Sequence, residues 1–151
     1  MRRRSTAGFT LVEILVVLTL LGIMMGLGVP SFRNFIGSQR AKAASYELVT
    51  TLLLARSEAI KRNADVTITP STANTWTSGW SVASASTTIQ AQDEFTNITV
   101  TTSPTTLASV TFKGTGRPTA SAKWEIASAT TTRCVKLDSA GFASTSTGTC
   151  S

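Results

Sequence analysis

Residues 8–23 read GFTLVEILVVLTLLGI, a glycine followed by an apolar run that a single carboxylate, Glu13, interrupts. The run continues to Val29, giving 21 residues from Phe9. A bilayer core takes about 20 residues of helix, so Phe9–Val29 is expected to span a membrane. Arg2, Arg3 and Arg4 precede it. Basic residues before a first span keep the N-terminus cytoplasmic and send the rest of the chain across the membrane. A secretory signal is cut behind its apolar segment, next to small residues. Here the small residue, Gly8, stands in front of that segment. Cutting after Gly8 removes the charged leader and keeps the helix, so that the mature chain starts at Phe9. Glu13 then lies about one turn into the helix. A carboxylate at a helix centre costs roughly 2.5–3.5 kcal/mol on insertion scales, and less near an end. The charge calls for a partner, and the free amine of Phe9 on a neighbouring copy supplies one if it lies level with Glu13. The plainer alternative is an ordinary single-pass anchor with a chance glutamate. It leaves the glycine before the run and the position of the acid unexplained.

The stretch resembles the class III signal of type IV pilins and type II secretion pseudopilins. The resemblance implies that Gly8 is the prepilin peptidase site, that Phe9 is the N-methylated first residue, and that Glu13 is the filament-assembly glutamate. It also implies a single-pass subunit of the inner membrane with its C-terminal domain in the periplasm. Its partners would be other pilin or pseudopilin subunits, the prepilin peptidase and the inner-membrane assembly platform. The expected organisation is a cleaved leader over 1–8, the transmembrane half of a helix over 9–29, its amphipathic half over 30–63, and an exported β-rich domain over 64–151.

The helical pattern continues past Pro30. Phe32, Phe35, Ile36, Ala43, Ala44, Leu48, Leu52, Ala55 and Ala59 recur at spacings of three and four, and Tyr46, Val49, Leu53 and Ile60 widen the stripe. Glu47, Arg56, Lys61 and Arg62 suit the wet face. The weak point is Gly22, Gly26, Gly28 and Pro30. Each glycine costs about 1 kcal/mol against alanine, and proline about 3. A kink or local melting is expected there.

After Asn63 the composition turns to Ser, Thr and Val. Expected strands are Asp65–Thr69, Gly79–Ala83, Thr87–Ala91, Asn97–Thr101, Leu107–Lys113, Lys123–Ala127 and Arg133–Leu137. Pro70, Ser103-Pro104, Gly114-Thr115-Gly116 and Ser139-Ala140-Gly141 punctuate them. Residues 127–132 and 143–149 read as loops. Alternation at Val110 and Phe112 and at Trp124 and Ile126 indicates half-buried antiparallel strands. The result is an α+β fold, a long helix packed on antiparallel sheet. A second resemblance, to general secretion protein H and the FimT-type minor pilins, rests on LLLARSEAIKRNADVTI, TWTSGWSV and VTFKGTGRPT. It implies a pilin-like domain whose helix ends in the Ala55–Asn63 segment.

The net charge of +6 includes the three leader arginines. With no histidine, the usual base and metal ligand are missing, and the acids Asp65, Asp93, Glu94, Glu125 and Asp138 are scattered. No catalytic set, metal site or cofactor is expected. Cys134 and Cys150 are the only cysteines. They fit an oxidising compartment, either as a bridge, at about 3 kcal/mol, or as two free thiols. Trp76, Trp80 and Trp124 read as core anchors rather than as a stacking platform. Between residues 64 and 112 there are three acids and no base, and from Lys113 to Asp138 five bases stand against two acids. Lys113, Arg117, Lys123 and Arg133 are therefore candidate DNA-contacting residues. FimT-type minor pilins of naturally transformable bacteria bind DNA through Gly-Arg-x-Arg. The matching run here, Gly116-Arg117-Pro118-Thr119, lacks the second arginine. The competing reading is a solvated face.

Overall fold

The computed structural model describes residues 8–151, with 27–31 described by backbone alone. The cleaved leader expected over 1–8, apart from Gly8, lies outside the described residues. The chain divides into two compact units, one up to Phe35 and one from Ile36 to Ser151. A single helix, α1 (Leu11–Arg62), contributes to both.

In the first unit α1 opens on Thr10, whose Oγ1 accepts a hydrogen bond from the Glu13 amide at 3.2 Å. That satisfies one of the four amides a helix start leaves without a partner. The large apolar side chains Leu11, Val12, Leu15, Leu18, Ile23 and Met24 stand exposed around the helix. Backbone helix continues through the segment from Gly22 to Pro30, so the expected melting does not occur. Among the described residues, no helix is long and apolar enough to cross a membrane. The expected span Phe9–Val29 runs past Gly26 into residues whose side chains lie outside the description.

The second unit holds the core. From α1 it takes Ala41, Ala44, Leu48, Leu52, Ala55 and Ala59. Ala43, expected on this stripe, is exposed, and Ser45 and Thr51 are fully buried in its place. Both polar residues are satisfied. The Thr51 hydroxyl accepts from Trp80 Nε1 at 3.2 Å, and the Ser45 hydroxyl donates to the Lys42 carbonyl at 2.7 Å. Asn63, at φ 48°, stops the helix in the left-handed conformation, with the Ala64 amide reaching back to the Ala59 carbonyl at 3.2 Å.

Eight strands come after the helix: β1 (Val66–Thr72), β2 (Thr75–Ser84), β3 (Thr87–Gln92), β4 (Thr99–Ser103), β5 (Val110–Phe112), β6 (Ala122–Ala127), β7 (Thr132–Leu137) and β8 (Ala143–Thr147). They form two antiparallel sheets, ordered β3-β2-β1-β5 and β4-β6-β7-β8. Three expectations are corrected. Pro70 does not end β1. It sits inside the strand beside a register shift and opposite Trp80. Because β5 pairs only as far as Ile68, β1 is an edge at Pro70 and its missing N–H breaks no ladder bond. The strand expected over Leu107–Lys113 shrinks to β5, because Leu107 turns inward and its carbonyl accepts from Trp76 Nε1 at 2.9 Å. Residues 143–147, read as loop, form β8 along β7 from Arg133 to Leu137. Apart from Ala143, every side chain of β8 is Ser or Thr, so it lacks the apolar alternation that marks a strand.

Trp76, Trp80 and Trp124 are all buried, as core anchors. Trp76 of the first sheet meets Trp124 of the second edge to face, with centroids 5.3 Å apart, and lies 6.1 Å from Trp80. The Val100 amide donates to the Thr77 hydroxyl at 3.0 Å, a further tie between the sheets.

Near the C-terminal end of α1, Arg62 Nε donates to Glu58 Oε2 at 2.7 Å and Lys61 approaches Glu58 at 3.6 Å. The hydrogen bond from Arg62, with these two charges behind it, holds the Glu58 carboxyl below its ordinary range. A carboxyl whose pKa falls on folding adds stability above its unfolded pKa, about 4.3. That contribution fades as pH drops through the lower folded value. The wild type is therefore expected to melt above Glu58→Gln at neutral pH, with the gap narrowing at acid pH. Thermal melts of both chains in detergent across this range check it.

Candidate functional site

Two regions hold the residues singled out from the sequence. The first is the start of the chain. Gly8 and Phe9 precede α1 outside any regular element and are exposed, and a Cβ built on Gly8 meets no atom within 4 Å. Glu13 lies in the first turn of α1 with its side chain exposed. Thr10 and Glu13 stand at the capping-box spacing Thr-x-x-Glu, a feature the sequence reading missed although the pattern is plain in it. The cap bond observed there is made by the Glu13 backbone amide. The negative charge of the Glu13 side chain also suits the N-terminal end of the helix dipole.

The second region is the basic half of the C-terminal domain, and the structure does not gather the four candidates on one spot. Lys113, just after β5, forms an ion pair with Asp65 at 2.6 Å. Arg117 lies exposed in the turn between β5 and β6, and among the described residues its guanidinium has no hydrogen bond or ion pair. Lys123 points from β6 to the main-chain oxygen of Ser151 at 2.8 Å. Arg133 is drawn to α1. Its Nε donates to the Ser45 hydroxyl at 2.9 Å, and its guanidinium lies 5.5 Å from the Tyr46 ring centroid. Lys136, left out of the candidate set, stands directly opposite Lys123 on β7.

Cys134 and Cys150 form a disulfide that fastens the final segment to β7. The Cys150 amide also donates to Glu125 Oε2 at 3.2 Å. A further clasp has no signal in the sequence. Arg56, assigned to the wet face of α1, stacks 4.6 Å from the Phe142 ring centroid and donates to the Gly141 carbonyl at 3.0 Å. Gly116 passes so close that a Cβ there would meet Ile60 Cδ1 at 2.6 Å, and its φ is +78°. This contact accounts for glycine in the Gly116-Arg117 turn without invoking a ligand. Among the described residues, no cluster of metal-ligating side chains occurs.

Residues 44–141 match the family described as type II transport protein GspH, and residues 3–29 match the prokaryotic N-terminal methylation motif. Among curated proteins none matches the chain. In fold, the chain is similar to the type IV minor pilin FimU of Pseudomonas aeruginosa in two crystal forms. One has a TM-score of 0.64 at 20% identity and covers 73% of this chain and 90% of that one. The other has a TM-score of 0.61 at 22% identity and covers 70% and 91%. At such identity the likeness establishes the fold, a helix on antiparallel sheets of pilin type. With the family match extending from α1 through β7, and the methylation motif in front of it, the chain belongs to the GspH family of type IV pilin-like proteins.

Proposed function

We propose that this chain is a minor pilin-like subunit, cut after Gly8, N-methylated at Phe9, and held in the inner membrane by Phe9–Val29 with its C-terminal domain in the periplasm. From there it enters a filament built by an inner-membrane platform. One observation carries the reading. The large apolar side chains of α1 from Leu11 to Met25 are exposed around the helix, while the domain from Ile36 onward has a closed core of its own. Such a helix needs an apolar environment. Lipid supplies it before assembly, and the helices of other subunits supply it afterwards. In the membrane the Glu13 carboxylate is poorly solvated, so pairing with the Phe9 amine of an adjoining subunit lowers its cost and sets the vertical register between copies.

The filament is a type II secretion pseudopilus, where the subunit helps to drive folded proteins outward, or a type IV pilus, where it helps to start assembly. The test is to shear filaments from cells that make the tagged chain and to probe both the filament and membrane fractions. The processed chain is expected in the filament fraction, and confinement to the membrane would refute the proposal. Deletion then distinguishes the systems, through lost secretion in one and lost piliation in the other.

A DNA-binding role in uptake retains one favourable observation, the exposed and unengaged guanidinium of Arg117. If the reading holds, Arg117→Ala weakens gel retardation of duplex DNA several-fold at low salt, with the retardation itself fading as salt rises. Absence of retardation by the wild-type protein removes this reading and leaves the structural one untouched.

A further inference from the structure

Lys123 and Lys136 face each other across the β6–β7 ladder. Like charges directly opposite one another destabilise a sheet unless negative charge offsets them. The neighbouring acids Glu125 and Asp138 keep their charge but direct a carboxylate oxygen to backbone amides rather than to either lysine. Glu125 Oε2 accepts from the Cys150 amide, and Asp138 Oδ1 accepts from the amides of Ala140 and Phe142 at 2.9 and 2.8 Å. Among the described residues, neither lysine pairs with an Asp or Glu side chain. Both ammonium groups converge on one atom, the main-chain oxygen of Ser151, at 2.8 Å from Lys123 and 3.0 Å from Lys136. Next to them opens a cavity of about 520 Å³, walled also by Ser103, Pro104, Ser121, Ala122, Leu137 and Asp138, the last an acid whose Oδ1 is turned to backbone amides.

From this geometry we infer that Lys123 and Lys136 form an oxyanion site for a carboxylate or phosphate group on the outer face of the second sheet, with Ser151 as its displaceable occupant. Two ammoniums aimed at one oxygen have the arrangement that binds an anionic oxygen, and such charge-assisted bonds are roughly twice as strong as neutral ones. The disulfide holds Cys150 to β7, so an anion can replace the Ser151 oxygen while Cys150 and the strand stay in place. The site rests on β6, β7 and the last residues alone and does not depend on the filament reading.

The test uses the full ¹⁵N-labelled chain in detergent micelles, titrated separately with sodium phosphate and sodium acetate against chloride at matched ionic strength. Saturable shifts are expected at Lys123, Lys136 and Ser151, together with a loss of order at Ser151 as it leaves the site. Binding of one anion and not the other names the class, and binding of both is the shared case. Lys123→Gln/Lys136→Gln is expected to weaken binding at least about tenfold, as removal of two charged hydrogen bonds requires. The double arginine variant is expected to retain it. Unchanged indole signals of Trp76, Trp80 and Trp124 report that each variant is folded. Equal shifts with chloride, no saturation with either anion, or full binding by the folded glutamine variant would overturn the site.

Discussion

Glu13→Ala is expected to leave the chain in the membrane and take it out of the filament, with incorporation falling at least about tenfold in sheared fractions at equal cellular levels. Membrane insertion should not suffer, because removing a carboxylate from an apolar helix lowers the cost of burying it. Assembly should suffer if Glu13 pairs with the neighbouring Phe9 amine as proposed, because the variant leaves that amine unpaired in lipid and removes the contact that would set the register. The capping-box spacing of Thr10 and Glu13 raises a competing explanation, that the Glu13 side chain matters for the start of the helix. Glu13→Gln separates the two. Glutamine serves equally at this position of a capping box but carries no charge. If charge pairing is the role, glutamine fails as alanine does. Normal incorporation of Glu13→Gln would assign the residue to capping, and normal incorporation of Glu13→Ala would remove it from assembly altogether.

Gly79→Ala is expected to be the most damaging small change in the domain. Gly79 has φ +81°, and a Cβ there would overlap the Gln92 carbonyl oxygen and stand 2.7 Å from the Asp93 carbonyl carbon. Both atoms belong to the backbone, so relief means parting β2 from the end of β3, next to the Trp80↔Gln92 pair. The left-handed conformation and the overlap together cost about 2–5 kcal/mol. For a domain of this size that lowers the melting temperature by roughly 10–20 °C. Tryptophan fluorescence reports it directly, since Trp76 and Trp80 flank the site. Gly148→Ala is the control, with φ +100° and no atom within 4 Å of the added Cβ. It bears the backbone term without the overlap, about 1–2 kcal/mol. Equal melting of the two variants would show that the close approach does not constrain the domain.

The same glycine shows how the fold can be read from residues. Trp76, Gly79 and Trp80 stand out in the chain, and the reason becomes visible only when β3 lies against β2: two rings enter the core and the residue between them admits a neighbouring backbone. Strong periodic signals carry through. The alternation in β6 is legible, as are the end of α1 near Asn63 and the buried row Leu48, Leu52, Ala55 and Ala59, because each reflects a local rule of burial or capping. Features that depend on distant partners are hidden. Nothing in Ala143–Thr147 marks a strand until β7 offers it a ladder. Ser45 and Thr51 look like solvent residues until Arg133 and Trp80 arrive from the sheets. Counting bases along residues 113–138 suggests one basic patch. The register scatters it, sending Lys113 to Asp65 and Arg133 to α1, and it makes a pair of Lys123 and Lys136 that no linear spacing announces. The start of the chain is the opposite case. Gly8, Phe9 and Glu13 stand out in sequence alone, and their proposed roles lie in encounters with a peptidase, a lipid bilayer and other subunits.

The central claim is that the apolar helix survives maturation and that the mature chain begins at Phe9. Intact-mass measurement of the chain purified from membranes tests it, supported by fragmentation of its N-terminal peptide. The expected product is a polypeptide lacking residues 1–8 and carrying one methyl group on the Phe9 amine. A chain that keeps Arg2, Arg3 and Arg4, or one cut beyond Val29 so that the helix is lost, would contradict it.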